Sequence, residues 1–234
     1  MKVLAIDTSS IVASVAIVDE QKVLGEYTIN HKKTHSQKLM PMIKETLSAC
    51  EIDIADIDLY CVSIGPGSFT GLRIGVATAK ALAHSANKPV IGINTLDALA
   101  YGMPYFEGII CPIIDARNNQ VYTAQYIWDI NGPKLLTQYI AQDIQNIINE
   151  LKDKKEKVIF VGDGVSVYKE NIIDNLKELA VFSPVFSTMQ KASVVAELAI
   201  QKYRERHFDN YLTLTPFYLR KSQAERVLET SNPT

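Results

Sequence analysis

Three stretches of this chain combine residue types and spacings that could do chemistry. Asp7-Thr8-Ser9-Ser10 and Asp115-Ala116-Arg117-Asn118-Asn119 each follow a short apolar run, and Gly65, Gly67 and Gly71 frame Pro66, Ser68, Phe69 and Thr70. A turn that accepts a polyphosphate needs small residues, so that backbone N–H groups reach the phosphates, and an aspartate there can hold a hydrated metal ion. The glycine-framed turn runs into an apolar helix and suits an anion cradle at a helix N-terminus. Together the three stretches give a nucleotide-type candidate site of Asp7, Thr8, Ser9, Gly65, Gly67, Ser68 and Asp115. Neither aspartate turn contains a glycine, however, and the second is bulky. The competing reading is that Asp7 and Asp115 cap strand ends and order their own loops. Gly162-Asp163-Gly164 has the form of a remnant adenosine-side turn, although a lone G-x-G is not specific to nucleotide loops.

His31 and His35 stand four apart, the spacing by which one helical face presents two metal ligands. No third ligand accompanies them, so no metal site is expected; His35 helps to start a helix and His31 is solvated. Ser68 has no G-x-S-x-G elbow around it. Cys61 and Cys111 lie in apolar runs and read as buried thiols, and His84, one turn from Lys80, reads as a surface residue. No catalytic triad can be assembled, and no catalytic residue is assigned.

Strands must position these turns. Residues 3–6, 12–18 and 23–29 are short apolar or alternating runs and form an antiparallel meander. A helix over 36–50 follows, with Ser36 as N-cap and Pro41 expected to bend or delay it. Strands at 59–64 and 90–93 alternate with the glycine-turn helix at 71–86 and a short helix capped by Thr95. Runs at 109–114 and 121–128 restart the pattern, followed by a helix at 144–151, a charged break KDKKEK, a strand at 158–161, and helices at 168–179 and 194–203. Residues 212–220 suit an edge strand or an ordered tail, with Arg220 in a surface ion pair. Two halves that each open with a strand, an aspartate turn and a hairpin predict a duplicated α/β architecture with a cleft between lobes, the plan of the actin-like ATPase (ASKHA) fold. The expected lobes are 1–104 and 105–225, with 226–234 as a disordered tail.

The helix at 71–86 has only Arg73, Thr78 and Lys80 as polar interruptions up to residue 83, so it must be covered on nearly every side. Gly75 inside a helix costs about 1 kcal/mol relative to alanine, which calls for a close-packing reason. With Gly71, Ala79 and Ala83 it forms a small-residue strip at i, i+4 spacing that another helix can approach. The expected subunit interface is therefore Leu39, Met40, Ile43 and Leu47 from the first helix with Leu72, Gly75, Val76, Ala79, Leu82 and Ala83 from the second; the competing reading is an ordinary core helix wedged between sheet and neighbouring helix.

Composition sets the bounds. At 234 residues, with 47% hydrophobic content and a net charge of -2, the chain can bury a sizeable core but offers no global basic field for a polyanion. Three scattered cysteines without a C-x-x-C pair argue against a disulfide or zinc framework and for a reduced compartment. MKVLAIDTSS has too short an apolar run for a signal peptide, and no stretch is long enough to span a bilayer, so a cytoplasmic, non-membrane protein is expected.

IDTSS, THSQKLMPMI, SIGPGSFTGLRIGVATAKALA, VIGINTLDALA, IDARNNQVYTAQY and PFYLR occur in that order, and with them the chain closely resembles the bacterial TsaB family, also called YeaZ. The resemblance implies an actin-like fold and a role in making the threonylcarbamoyladenosine beside the tRNA anticodon. It implies a TsaD-like catalytic subunit and a TsaE-like ATPase as partners, a homodimer when alone, and tRNA contact only through the complex. It also implies dimerisation through the two helices above. In the catalytic relative a metal-binding histidine pair follows the glycine-turn helix and the next strand; here that place reads Ile93-Asn94-Thr95-Leu96-Asp97, with no histidine.

The leading expectation is a non-catalytic scaffold and dimerisation subunit without an intrinsic cofactor, ATP or ADP being a candidate only at the interface of the assembled complex. An independent actin-like ATPase or phosphotransferase using Asp7, Asp115 and the glycine turn is the alternative. A metallopeptidase using His31 and His35 is the third reading.

Overall fold

The computed structural model describes residues 1–31 and 35–220. The first half of the chain runs Val3–Asp7 (β1), Val12–Val18 (β2), Val23–Asn30 (β3), His35–Ala49 (α1), Leu59–Gly65 (β4), Phe69–Ala86 (α2), Val90–Asn94 (β5) and Thr95–Tyr101 (α3). The second half runs Ile109–Asp115 (β6), Gln120–Thr123 (β7), Tyr126–Asp129 (β8), Gly132–Leu135 (β9), Ile140–Asp143 (β10), Ile144–Lys154 (α4), Val158–Val161 (β11), Gly164–Leu176 (α5), Ala180–Phe182 (β12), Val185–Thr188 (α6) and Ala192–Arg204 (α7). Among the described residues no helix is long and apolar enough to cross a membrane.

The first sheet has the order β3-β2-β1-β4-β5, and the main path of the second is β10-β7-β6-β11-β12. In each, an antiparallel meander is extended by two parallel strands. This repeated topology is the actin-like plan of two similar α/β lobes. Strands β1, β2 and β4 are covered on both faces, which is why they read as continuous apolar runs. Edge strand β3 alternates between exposed and half-buried residues instead.

Helices α1 and α2 cover one face of the first sheet through Leu39, Met42, Val76 and Ala79, and α4 and α5 cover the second sheet through Ile147, Ile148, Tyr168 and Ile172. The opposite faces are covered by exchange. Ala192, Val195, Ala196 and Ala199 of α7 pack on the first sheet, whereas Leu96, Leu99 and Ala100 of α3 pack with Ile110 and Ile114 of the second. Each half of the chain thus lends a helix to the other half's sheet, while Ala98 of α3 also stays in the core of the first sheet. Asp97 of α3 also accepts hydrogen bonds from Tyr126 and Tyr139, both at 2.8 Å.

Several local expectations change. The helix α1 starts at His35 and runs through Pro41, so Ser36 lies in its first turn and Pro41 does not delay it. Asn94, not Thr95, caps α3, its side chain accepting from the Leu96 N–H at 2.8 Å. The run 121–128 breaks into two strands at Ala124-Gln125, because the buried Gln125 takes its hydrogen bonds sideways: its N–H donates to Thr137 and its amide to Glu150. Beyond the break β8 pairs with the start of β6 and with β9, a hairpin with little alternation to announce it. Helix α5 starts at Gly164 and ends at Leu176. The proposed tail 226–234 lies outside the described residues.

Candidate functional site

The Asp7 turn and the glycine turn are packed into each other. One carboxylate oxygen of Asp7 accepts from the Ser9 N–H at 2.9 Å and the Ser9 hydroxyl at 2.7 Å, and the other accepts from the Ser63 hydroxyl. Burial pushes this carboxyl above the usual aspartate range, against the lowering effect of those bonds. The Ser68 N–H donates to the Ser9 carbonyl at 2.6 Å, and the Thr8 hydroxyl donates to the Gly71 carbonyl at 2.7 Å. A Cβ on Gly67 would stand 2.1 Å from the Ser9 carbonyl oxygen, and one on Gly71 would stand 2.0 Å from that of Thr8. These glycines thus serve the close approach of two backbone segments. The Ser68 amide and the space beside it, which a phosphate would need, are taken by the chain itself.

The second aspartate turn is also self-satisfied. Asp115 accepts from the Arg117 N–H at 3.0 Å and the Tyr168 hydroxyl at 3.1 Å, and its own N–H donates to Asp163 at 3.0 Å. Arg117, Asn118 and Asn119 all sit at positive φ, near 63°, 54° and 57°, and Arg220 donates to the Ala116 carbonyl at 3.2 Å. Among the described residues Arg220 thus meets a backbone carbonyl, where a surface ion pair was expected. Burial lifts the Asp163 carboxyl to about 6, with the Asp115 charge adding to the rise. Gly162 lies against β6, where a Cβ would come within 2.4 Å of the Ile113 carbonyl oxygen. The geometry is that of turns that hold themselves.

The small-residue strip on α2 faces inward. Gly71, Leu72, Gly75, Val76, Ala79 and Ala83 are buried, and a Cβ on Gly75 would meet the Thr8 hydroxyl oxygen at 2.3 Å. Leu39 and Ile43 of α1 belong to the same core. Of the ten expected interface residues, seven therefore pack inside this chain, and a partner cannot touch that strip; Met40, at 50% exposed, and the half-buried Leu47 and Leu82 reach the surface. The outward face of α2 consists instead of Ile74, Ala77, Thr78, Ala81, Leu82 and Ser85, at i, i+3, i+4, i+7, i+8 and i+11, all exposed or half-buried. It is again small and apolar, with Arg73 and Lys80 to its side.

Residues 22–227 match the family model for TsaD, tRNA N6-adenosine threonylcarbamoyltransferase. The chain is 36% identical over 230 residues to the tRNA threonylcarbamoyladenosine biosynthesis protein TsaB of Bacillus subtilis, covering 96% of both chains. The chain belongs to the TsaB family. The TsaB of Haemophilus influenzae is 31% identical over 235 residues, 94% of each chain. A Pseudomonas aeruginosa protein described as similar to peptidase YEAZ shares the fold, with a TM-score of 0.80 at 24% identity, over 94% of this chain and 99% of that one.

Within this TsaB-family fold, His35 opens α1 and its Nε2 lies 2.8 Å from the Ser10 carbonyl oxygen, while His31 is exposed. Both line a cavity of about 190 Å³ with Lys38 and Met42. Among the described residues, His, Cys, Asp and Glu side chains nowhere gather in threes as a metal site would require. Cys61 and Cys111 are buried and their thiols are pushed up, Cys111 to about 12. His84 is exposed against Tyr211.

Residues 212–220 form no strand but lie along α2 as a strap. Lys80 donates to the Leu214 carbonyl at 2.8 Å, the Phe217 N–H to Ile64 at 2.7 Å, and Tyr218 stacks on Phe69 with ring centres 3.9 Å apart. Sequence reasoning missed two features. One is the outward face of α2, whose Ala77 and Ala81 carry the same i, i+4 signal as the inward strip. The other is a cleft of about 780 Å³ between β2–β3 and the segment 182–191, whose lining residues come from distant stretches with no common spacing.

Proposed function

We propose that this chain acts in threonylcarbamoyladenosine biosynthesis as a partner subunit that supports a TsaD-like transferase, with the outward face of α2 and the neighbouring Met40 and Leu47 of α1 as its docking surface. One observation carries the reading: a six-residue face of α2 that is small, nearly uncharged and left uncovered by the chain's own strap. Ala77 and Ala81 allow a partner helix to come close, and Ile74 and Leu82 add apolar area. The closed Asp7 turn and the self-satisfied Asp115 turn speak against an independent ATPase. On this reading ATP or ADP belongs to the joint interface, the TsaE-like ATPase and tRNA meet the assembled complex in the cytoplasm, and the same face pairs two copies when the catalytic subunit is absent.

The decisive experiment is co-expression with the TsaD-like relative from the same cell. A stable heterodimer that displaces the homodimer, and that Ala77→Arg abolishes, supports the reading. Failure of the wild-type chains to associate would remove it.

A further inference from the structure

We propose that the cleft between β3 and the segment 182–191 is a binding site for a planar aromatic ring system that carries a single anionic group, one carboxylate or one phosphate. The inference goes beyond the proposed function and does not rest on it. The cleft's volume of about 780 Å³ lies in the range of small-molecule sites. Its apolar surface includes Val12, Phe182, Val185, Phe186 and Met189. Val185 is 94% exposed and Phe186 75% exposed, so large apolar side chains are held at the cleft without a cover.

Two cations give the charge preference. Lys169 of α5 lies 5.1 Å from the centre of the Phe182 ring, and Lys191 lies 5.6 Å from that of Phe186. Each ammonium is thereby held over an aromatic face that lines the cleft. Glu26 is the acidic residue of the lining, and one of its oxygens already accepts from the Ser193 N–H at 2.9 Å.

A buried amide supplies the specific polar contact. Gln190 lines the cleft and is only 2% exposed; its Oε1 accepts from the Ser10 hydroxyl at 2.9 Å, but its Nε2 has no hydrogen-bond partner among the described residues. A buried N–H group left unpaired is costly; the Gln190 Nε2 is closed to solvent, so an acceptor on a ligand removes that cost only when the side chain turns toward the cleft. A single anionic group matches the lining, whose cations are Lys169 and Lys191. An apolar ring on the aromatic floor, its charge between Lys169 and Lys191 and an acceptor toward Gln190 together use what the cleft offers.

The test titrates the full chain with 1-naphthyl phosphate, 1-naphthoate, neutral 1-naphthalenemethanol and ATP, read by calorimetry and by the side-chain amide resonances in 15N-HSQC spectra. Saturable submillimolar binding of both anions, a shifted Gln190 amide pair, and affinity about tenfold weaker in Lys169→Glu/Lys191→Glu are expected. Phe186→Ser changes an exposed residue and should weaken binding without altering the thermal midpoint. Absence of saturable binding by either anion, or equal binding of the neutral alcohol, would overturn the proposal. So would ATP binding tenfold more tightly than 1-naphthyl phosphate at the same residues, because the turns would then be reading polyphosphate.

Discussion

The hydroxyl of Thr8 donates to the carbonyl of Gly71 at 2.7 Å, joining the first aspartate turn to the first turn of α2. The same hydroxyl oxygen would stand 2.3 Å from a Cβ on Gly75. Gly75→Ala should therefore destabilise the fold by about 1–3 kcal/mol through overpacking, although alanine is the better helix former. In a Thr8→Ala background the obstacle is gone, and Gly75→Ala should become neutral or stabilising. Urea midpoints for the four chains of this double-mutant cycle measure the sign change.

Substitutions on the two strips of α2 should behave oppositely. Ala77→Arg and Ala81→Glu are exposed and should change stability by less than about 0.5 kcal/mol while abolishing pairing with a partner or second copy. Gly75→Arg or Ala79→Glu should unfold the chain instead, since both positions are buried against its own sheet. Light scattering after size exclusion, with thermal melts, separates loss of pairing from loss of fold.

Asp163 makes stability fall as pH rises. Its carboxyl ionises near 3.8 when unfolded and at about 6 when folded, so the unfolded chain gives up its proton first. Between pH 4 and pH 6 this favours unfolding by up to about 3 kcal/mol, and the penalty persists at pH 7. Asp163→Asn keeps an acceptor for the Asp115 N–H and loses the charge, so its urea midpoint should gain on the wild type as pH rises through that window. Parallel pH profiles for the two chains would contradict the assignment.

The strap over α2 should open locally. Lys80→Met removes the ammonium donor to Leu214, whose carbonyl holds the strap beside the Phe217–Ile64 bond. The Phe217 amide should exchange about tenfold faster, with the amides of β1 and β4 unchanged. A uniform acceleration over the whole chain would mean that the strap is part of the global cooperative unit.

Much of the frame was legible in the sequence because it rests on local pattern. The apolar runs of β1, β2, β4 and β6 have no polar alternation, and strands covered on both faces need none. The order of meander, helix and parallel strand repeats in both halves, and that repetition announces the two-lobed plan. The exchange of α3 and α7 between lobes was not legible, since a helix's apolar face says that it must be covered but not by which sheet. The split at Gln125 likewise depends on Glu150 and Thr137, which are distant in sequence.

The sequence by itself determined that neither aspartate turn has a glycine and that α2 is built almost entirely of small and apolar residues. Only the tertiary structure decided which side of α2 faces out. Gly71, Gly75, Ala79 and Ala83 make one small strip and Ala77, Thr78, Ala81 and Ser85 make another, so the helix lacks the polar contrast that would orient it. Orientation follows from the close approach of Thr8, whose hydroxyl oxygen lies 2.3 Å from where a Cβ on Gly75 would stand. The cleft, too, exists only in three dimensions, where Gln190 meets Ser10 across a separation of 180 residues.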